Sequence, residues 1–430
     1  MKNRLITAVL IFAVAFLASG CGQTATAVGT LEGSKMSEEG PDMSNPFDVM
    51  EYMRAHAEQM AKENEDSDTP SKAFCDGVIL SSMVGYDADS QKKALLIVDS
   101  DCELAKKSEI EFVIKDDEKE LFSNKAKLTE TENYCYSVLD FTKYKDACKG
   151  TITITDDPTI KNPVFIKRKL YGELYEEKID NLIHSDTEYS KREMSEKINI
   201  VLELELISEY ADSDLYRDEI QGMLESFLDE LTKEANGKGS LTDTEKSAVA
   251  TLLFNGAACL KNADTAKYIE SAQKLSEDVG DKDDIWKYCS KAASYRATGD
   301  KKSREEFEKL TEAEIYNGLS YDSPGDFGNL AYVSCSDVNK SVAGELVYGI
   351  LEDANEHVAN DIFAGILEKD TLEYPEYRRL PIVNEITASS QYTKYMQNAI
   401  TIMCGCNPKG INALSDSDYE WLFVLAYLSK

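Results

Sequence analysis

The side chains that could perform chemistry in this sequence are mostly carboxylates. The 430 residues include 79 Asp and Glu but only 3 His, which are His56, His184 and His357. No two of these histidines are spaced to share one face of a helix. A histidine-rich metal centre is therefore excluded, and most histidine-activated nucleophiles are disfavoured. Any catalytic chemistry is expected from Asp and Glu.

The charge balance excludes one class of partner and gives no support for a cofactor. Lys and Arg total 47, so the formal net charge is -32, and no basic stripe is present that could neutralise nucleic acid phosphates. The acidic run Asp281–Asp284 does not have the glycine and terminal glutamate of an EF-hand loop, and a solvated charge run is the expected interpretation. We predict no metal site, no cofactor and no nucleic acid partner.

The first 21 residues have the pattern of an export signal. Lys2 and Arg4 precede the apolar run LITAVLIFAVAFL, which is too short to span a bilayer well. The following Leu17–Cys21 (LASGC) resembles the bacterial lipobox, which implies that Cys21 becomes lipid-modified. The predicted location is the extracytoplasmic face of the cell membrane, with the lipid as anchor. The alternative is an ordinary secretory signal with a chance cysteine.

Nine further cysteines follow, and an odd number cannot all pair. Four of them lie in one strand-like segment, where an exported protein could form up to two disulfides: Cys75, Cys102, Cys135 and Cys148. Cys404 and Cys406 flank a single glycine and are predicted to be buried free thiols.

The rest of the chain divides into three zones by composition and periodicity. Residues 22–71 are acidic and rich in small polar residues, and are interpreted as a flexible tether with a weak helix over 46–62. Residues 72–166 contain short apolar runs with a period of two, typical of a β-sandwich. Residues 167–430 have helical periodicity, and about ten to twelve helices are expected, forming a bundle, solenoid or toroid.

Several strings resemble glycoside hydrolase family 9. Ile79–Tyr86 (ILSSMVGY), followed by Lys92–Ala94, resembles the start of the immunoglobulin-like domain that precedes many family 9 catalytic domains. Tyr295–Asp300 (YRATGD) is similar to an inter-helix turn of the family, and Tyr392–Gly410 resembles a late helix with its Asn-Pro-x-Gly turn. The resemblance extends over residues 75–430. It implies a multidomain β + α fold, an immunoglobulin-like β-sandwich followed by an all-α toroid of the α/α six-barrel type.

The resemblance also implies where catalytic carboxylates would lie. Family enzymes invert β-glucan linkages with a carboxylate base and a carboxylic acid that are separated by a water molecule. The base motif, Asp-Ala-Gly-Asp, matches Ser185–Lys191 (SDTEYSK), where Asp186 and Glu188 are candidates although the motif's glycine and second Asp are absent. The alternative is that Ser185 or Asp186 caps a helix and Glu188 lies in its first turn.

The acid position departs further from the family pattern. After the Asn407–Gly410 turn, the family has a long loop with His and Arg that hold the sugar, and then the acid. Here only a short segment precedes the last helix, and no His or Arg follows Arg379. The remaining candidates are Asp416, Asp418 and Glu420, and Ser415-x-x-Asp418 is equally a helix-capping pattern.

Two functions are compatible with this sequence. The first is a non-catalytic or weakly active surface lipoprotein that binds a β-glucan or a protein partner. The second is an active, divergent endoglucanase-like hydrolase. The missing motifs favour the first, because loss of the paired acid and base removes several powers of ten in rate.

Tyrosines in irregular segments are expected to offer sugar-stacking rings: Tyr321, Tyr374 and Tyr377.

Overall fold

The computed structural model describes residues 77–430, except 132–133, 212–215, 238–240, 261–263, 278, 280–284, 360–361, 367–373 and 417–418, and except the side chains of 184–188, 364–365 and 416. Gly77–Lys430 forms one compact unit. Cys21 and the predicted signal, tether and weak helix lie outside the described residues. No helix in the described part combines the length and the apolar character needed to span a membrane.

The first part of the compact unit consists of nine strands in two sheets. Their bounds are β1 Gly77–Leu80, β2 Tyr86–Asp87, β3 Lys93–Asp99, β4 Glu109–Asp116, β5 Lys119–Lys127, β6 Thr129–Glu130, β7 Tyr134–Asp140, β8 Cys148–Ile154 and β9 Asp157–Lys167. One sheet has the order β1-β3-β7-β6 and the other the order β2-β9-β8-β4-β5. All pairs are antiparallel except β2 with β9.

Alternation of apolar residues places one face of each sheet in a common core. Ile110, Phe112 and Ile114 of β4 are buried, while Glu109 before them and Glu111 between the first two are exposed. The amide of Asn162 on β9 donates to the carbonyl of Ile79 on β1 (2.7 Å), which joins the two sheets. The apolar runs of period two in residues 72–166 are therefore confirmed as strands, whereas the two-residue strands β2 and β6 and the mostly exposed β5 contain no such run.

The disulfide expectation is only partly met. Cys102 is disulfide-bonded, and its partner lies outside the described residues. Cys135 and Cys148 are free thiols, so these four cysteines form at most one of the up to two bridges that the sequence permits. Cys404 and Cys406 are buried free thiols, as predicted.

Helices follow from Leu170 to the end of the chain. Their bounds are α1 Leu170–Ser185, α2 Met194–Tyr210, α3 Arg217–Asn236, α4 Asp243–Cys259, α5 Ala266–Glu277, α6 Ile285–Thr298, α7 Lys301–Ala313, α8 Gly325–Val333, α9 Lys340–Val358, α10 Ile362–Gly365, α11 Pro375–Arg378, α12 Leu380–Thr387, α13 Thr393–Met403, α14 Ala413–Asp416 and α15 Leu422–Leu428. A 3₁₀ helix, Asp186–Lys191, connects α1 to α2.

The helices close into a ring. Contacts pass from α2 to α4, α6 and α8, then to α9 and α12, and through α15 back to α2. Helices α2, α4, α8 and α15 are buried on nearly all sides, as expected for an inner layer, whereas α3, α5 and α7 bury one stripe and form an outer layer. The mixed β and α architecture with a helical ring is confirmed.

The sheets pack on the ring through the segment that follows α13. The backbone amide of Met83 donates to the carbonyl of Cys404 (2.7 Å), and the thiol of Cys406 donates to the carbonyl of Leu80 (3.2 Å). Between the two cysteines, Gly405 has a φ of 115°, a backbone conformation that favours glycine. The sheets and the ring are therefore joined by direct hydrogen bonds and not only through the chain that connects them.

Candidate functional site

The structure locates the predicted acid and base residues along the backbone. Asp186 and Glu188 belong to the 3₁₀ helix, and Asp416 is the last residue of α14. The side chains of these three residues, and the whole of Asp418, lie outside the described part of the chain. Glu420 is described and exposed.

Both predicted stretches adjoin the first half of α2. In the 3₁₀ helix, the carbonyl of Ser190 accepts a hydrogen bond from Nζ of Lys197 (3.0 Å). Beyond Asp418, the hydroxyl of Tyr419 is hydrogen-bonded to the side chain of Asn199. The candidate base and acid segments therefore both lie beside the first half of α2, at Lys197 and Asn199.

Glu203, in the same helix α2, is a buried carboxylate that was not predicted from the sequence. One oxygen accepts from Nη2 of Arg378 (2.7 Å), and the other accepts from the backbone amide of Phe423 (3.0 Å). Burial raises the pKa of Glu203, and the Arg378 guanidinium opposes that rise. With both oxygens bonded, Glu203 holds the start of α15 against α2 and is not free to act on a substrate.

A second buried ion pair involves the neighbouring arginine. Nη2 of Arg379 donates to Oδ1 of Asp326 at 2.8 Å, and Nη1 contacts Asp353 of α9. Asp326 is fully buried in the first turn of α8, and its burial raises the pKa while Arg379 opposes the rise. This arginine thereby links three helices of the ring.

The opposite ends of α2, α4 and α6 carry a different polar cluster. Arg296 pairs with Glu209, and its Nη1 also donates to Oδ1 of Asn255 (3.4 Å). Glu205 lies one turn before Glu209, is 1% exposed, and has no hydrogen-bond partner on either carboxyl oxygen. Burial raises the pKa of Glu205 well above its ordinary value. The cluster therefore combines a buried carboxyl group that favours its protonated form, Glu205, with a second carboxyl group, Glu209, that is paired with Arg296.

The predicted sugar-stacking tyrosines are not surface rings. Tyr374 and Tyr377 are buried and pack edge to face with centroids 5.9 Å apart, so the prediction is wrong for both. Tyr321 is half-buried against Trp286. The exposed tyrosine in the described residues is Tyr348 of α9, which is 65% exposed. Sequence periodicity could not distinguish the buried tyrosines from the exposed one, because the burial of a large side chain depends on the tertiary contacts of its segment.

The described residues do not include three or more His, Cys, Asp or Glu side chains placed to hold a metal ion. Glu203, Asp326, Asp353 and Glu209 are instead paired with arginines, and these pairs stabilise helix contacts.

Comparison with known proteins gives the fold. No family model matches the chain, and no curated protein matches it. Among solved structures, a thermostable endoglucanase mutant from Alicyclobacillus acidocaldarius superposes with a TM-score of 0.62 at 13% identity, over 78% of this chain and 83% of that chain. AaCel9A in complex with cellobiose-like isofagomine gives the same values.

A metagenome-derived glycoside hydrolase family 9 endoglucanase superposes with a TM-score of 0.61 at 12% identity, over 78% of this chain and 84% of that chain. The chain therefore has the fold of the family 9 endoglucanases, at 12% to 13% sequence identity to these three structures. The predicted resemblance is confirmed at the level of fold.

Proposed function

We propose that this protein is a bacterial surface lipoprotein that binds β-glucan chains and has lost most or all hydrolase activity. It is a divergent relative of the family 9 cellulases, and its two sheets correspond to the immunoglobulin-like domain of that family. The lipid on Cys21 anchors it at the extracytoplasmic face of the membrane. A protein partner at the acidic surface is compatible with this role.

One observation carries the non-catalytic assignment. The segment 185–191 has lost the glycine and second Asp of the family's base motif, and the segment after residue 410 has lost the loop that precedes the acid. Loss of a positioned acid and base removes several powers of ten in rate. Two other carboxylates buried in the ring, Glu203 and Asp326, are bonded to Arg378 and Arg379 and do not replace them.

The ligand class follows from the fold and from the neighbours' chemistry. AaCel9A was solved with a cellobiose-like compound, and the other neighbours are endoglucanases. A ring that has kept this fold while its acid and base motifs were lost can still bind a glucan, because binding needs shape and hydrogen bonds without proton transfer. β-glucan is therefore the proposed ligand.

Reducing-sugar release from soluble β-glucans and xyloglucan tests this function. We expect the purified full chain to release no sugar above background while it binds the same glucans. Glu188→Gln is the paired variant, and Glu305→Gln, at an exposed position, is the control. Turnover that is abolished in Glu188→Gln alone would establish the divergent inverting hydrolase, with Asp186 or Glu188 as base and Asp416, Asp418 or Glu420 as acid.

Membrane anchoring has a separate test. Cys21→Ser in the full chain is expected to move the protein from the membrane fraction to the soluble fraction of the expressing cells. Retention of the variant in the membrane fraction would contradict a lipid anchor at Cys21.

A further inference from the structure

Met83 is an exposed methionine at a contact between the sheets and the ring. It lies in the bend between β1 and β2, and 42% of its surface is accessible. Of the other methionines in the described part of the chain, Met194 is half-buried. The remainder are buried: Met223, Met396 and Met403. Met83 is therefore the described methionine that a dissolved reagent reaches most readily.

The side chain of Met83 rests on the backbone of Gly405, in the turn that follows α13. A Cβ added to Gly405 would lie 2.5 Å from Cγ and 3.0 Å from Sδ of Met83, so the thioether lies directly against this glycine. The amide of Met83 donates to the carbonyl of Cys404 (2.7 Å). One residue therefore contributes both a backbone hydrogen bond and an apolar contact between the sheets and the ring.

The turn that receives Met83 is held together by one buried side chain. Asn407 is fully buried, and its Nδ2 donates to the carbonyls of Ile402 and Ile411, each at 2.8 Å. Its Oδ1 accepts from the amide of Lys409 (3.1 Å). Because these bonds tie both ends of the turn to Asn407, a displacement at Gly405 is expected to affect the whole of 402–411.

The thiols of the described residues compete poorly with this thioether for an oxidant. Cys148 and Cys335 are half-buried, and burial raises the pKa of both thiols. Since the thiolate is the form that reacts with peroxides, a thiol with a raised pKa reacts slowly. A thioether has no such proton, so its reactivity depends on access. The other described thiols are buried: Cys135, Cys259, Cys289, Cys404 and Cys406.

We propose that Met83 is an oxidation site at which a hydroperoxide loosens the contact between the sheets and the ring. The sulfur lone pair attacks the peroxide, so that an S–O bond forms and the O–O bond breaks. With hydrogen peroxide, the second oxygen takes the proton of the first and leaves as water. Sulfur gives up two electrons and the peroxide accepts them. The product is methionine sulfoxide, which methionine sulfoxide reductases convert back.

The effect on the contact follows from the polarity of the product. A thioether is apolar and packs well on a glycine backbone, whereas a sulfoxide is polar. The amides of Gly405 and Cys406 already donate to the carbonyls of Ile402 and Thr401 (3.1 Å and 3.2 Å). A sulfoxide oxygen pressed against this turn would therefore lose water without gaining a hydrogen bond from these amides. The oxidised side chain is expected to move into solvent and release the turn.

Treatment of the full chain with hydrogen peroxide tests this site. Peptide mass spectrometry is expected to show Met83 oxidised at least about fivefold faster than Met194, and before Cys148 or Cys335, because of its exposure. Amide hydrogen exchange in residues 80–86 and 402–411 is expected to become severalfold faster after oxidation. Reductases that act on both sulfoxide epimers should restore the original exchange.

Substitutions separate the sulfur from the contact it makes. Met83→Leu keeps an apolar side chain without sulfur, so its exchange should match wild type before peroxide and stay unchanged after it. Met83→Gln places a polar group of similar length on Gly405 and is expected to show the faster exchange without peroxide. Met194→Leu is the control and should respond to peroxide as wild type does.

Three results would overturn the proposal. Slower oxidation of Met83 than of Met194, or earlier oxidation of Cys148 or Cys335, would show that Met83 is not the preferred site. Oxidation of Met83 with unchanged exchange in 80–86 and 402–411 would show that the contact does not respond to it. An equal rise in exchange in peroxide-treated Met83→Leu would assign the effect to another residue.

Discussion

Glu205 is a buried carboxyl group of the ring whose pKa is raised well above its ordinary value. Neither of its oxygens has a hydrogen-bond partner, and the charged groups that act on it are Arg296 and Glu209. Arg296 is already paired with Glu209, so it cannot fully compensate a second buried negative charge. The folded protein therefore favours the protonated form of Glu205.

The pH dependence of stability follows from this preference. Because the folded pKa of Glu205 is raised above the unfolded value, its protonated form stabilises the fold at low pH, and that contribution is lost as the pH rises toward the folded pKa. Glu205→Gln is expected to reduce the drop in melting temperature between pH 5 and pH 8. Exposed Glu305→Gln is the control and should leave the drop unchanged. An undiminished drop in Glu205→Gln would contradict a protonated Glu205.

At the scale of elements, local signals identified the helix boundaries well. The sequence pattern Thr242-x-x-Glu245 is that of a capping box, and it begins α4, with the Thr242 side chain accepting from the amide of Glu245 (3.2 Å). The turn-forming pairs Asn236-Gly237 and Gly299-Asp300 end α3 and separate α6 from α7. These features depend on neighbouring residues alone, so the sequence contains them directly.

Strand β5 shows where the sequence signal fails. Lys119–Lys127 is an edge strand, paired only with β4, and most of its side chains are exposed. It therefore lacks the apolar alternation that identified the buried strands. Its pairing with β4 comes from backbone hydrogen bonds, which leave no pattern in the side chains.

The candidate site was harder to predict for a related reason. Glu203 lies in the apolar string INIVLELELI, where a charge is conspicuous, but its partner Arg378 is 175 residues away along the chain. Only the closed ring brings them together. The sequence could therefore indicate the segments near α2, while the ion pairs that neutralise this region required the tertiary structure.

At the scale of the whole molecule, Gly405 lies at one of the contacts between the sheets and the ring. A Cβ at this position would lie 2.5 Å from Cγ of Met83, and the φ of 115° disfavours any other residue. Because the sheet segment and the ring meet here through backbone hydrogen bonds, a disturbance at Gly405 should affect both.

Substitution at this contact tests whether sheets and ring unfold together. Gly405→Ala is expected to destabilise the protein by roughly 1–3 kcal/mol through backbone strain and displacement of Met83. Scanning calorimetry should show one transition for wild type and one, at lower temperature, for the variant. Gly172→Ala, in α1 with open space around it, is the control and should not lower the transition. Two separate transitions in wild type would show that the sheets and the ring are independent.

Because α15 is the last helix of the chain, the ring can close only at the end of synthesis. Helix α15 packs against α1 and α2, the first helices of the ring to leave the ribosome. At about 5–20 residues per second, translation of the intervening chain takes roughly ten seconds or more. During that interval the surfaces of α1 and α2 that α15 covers lack their native partner, so the ring cannot close until the last helix is made.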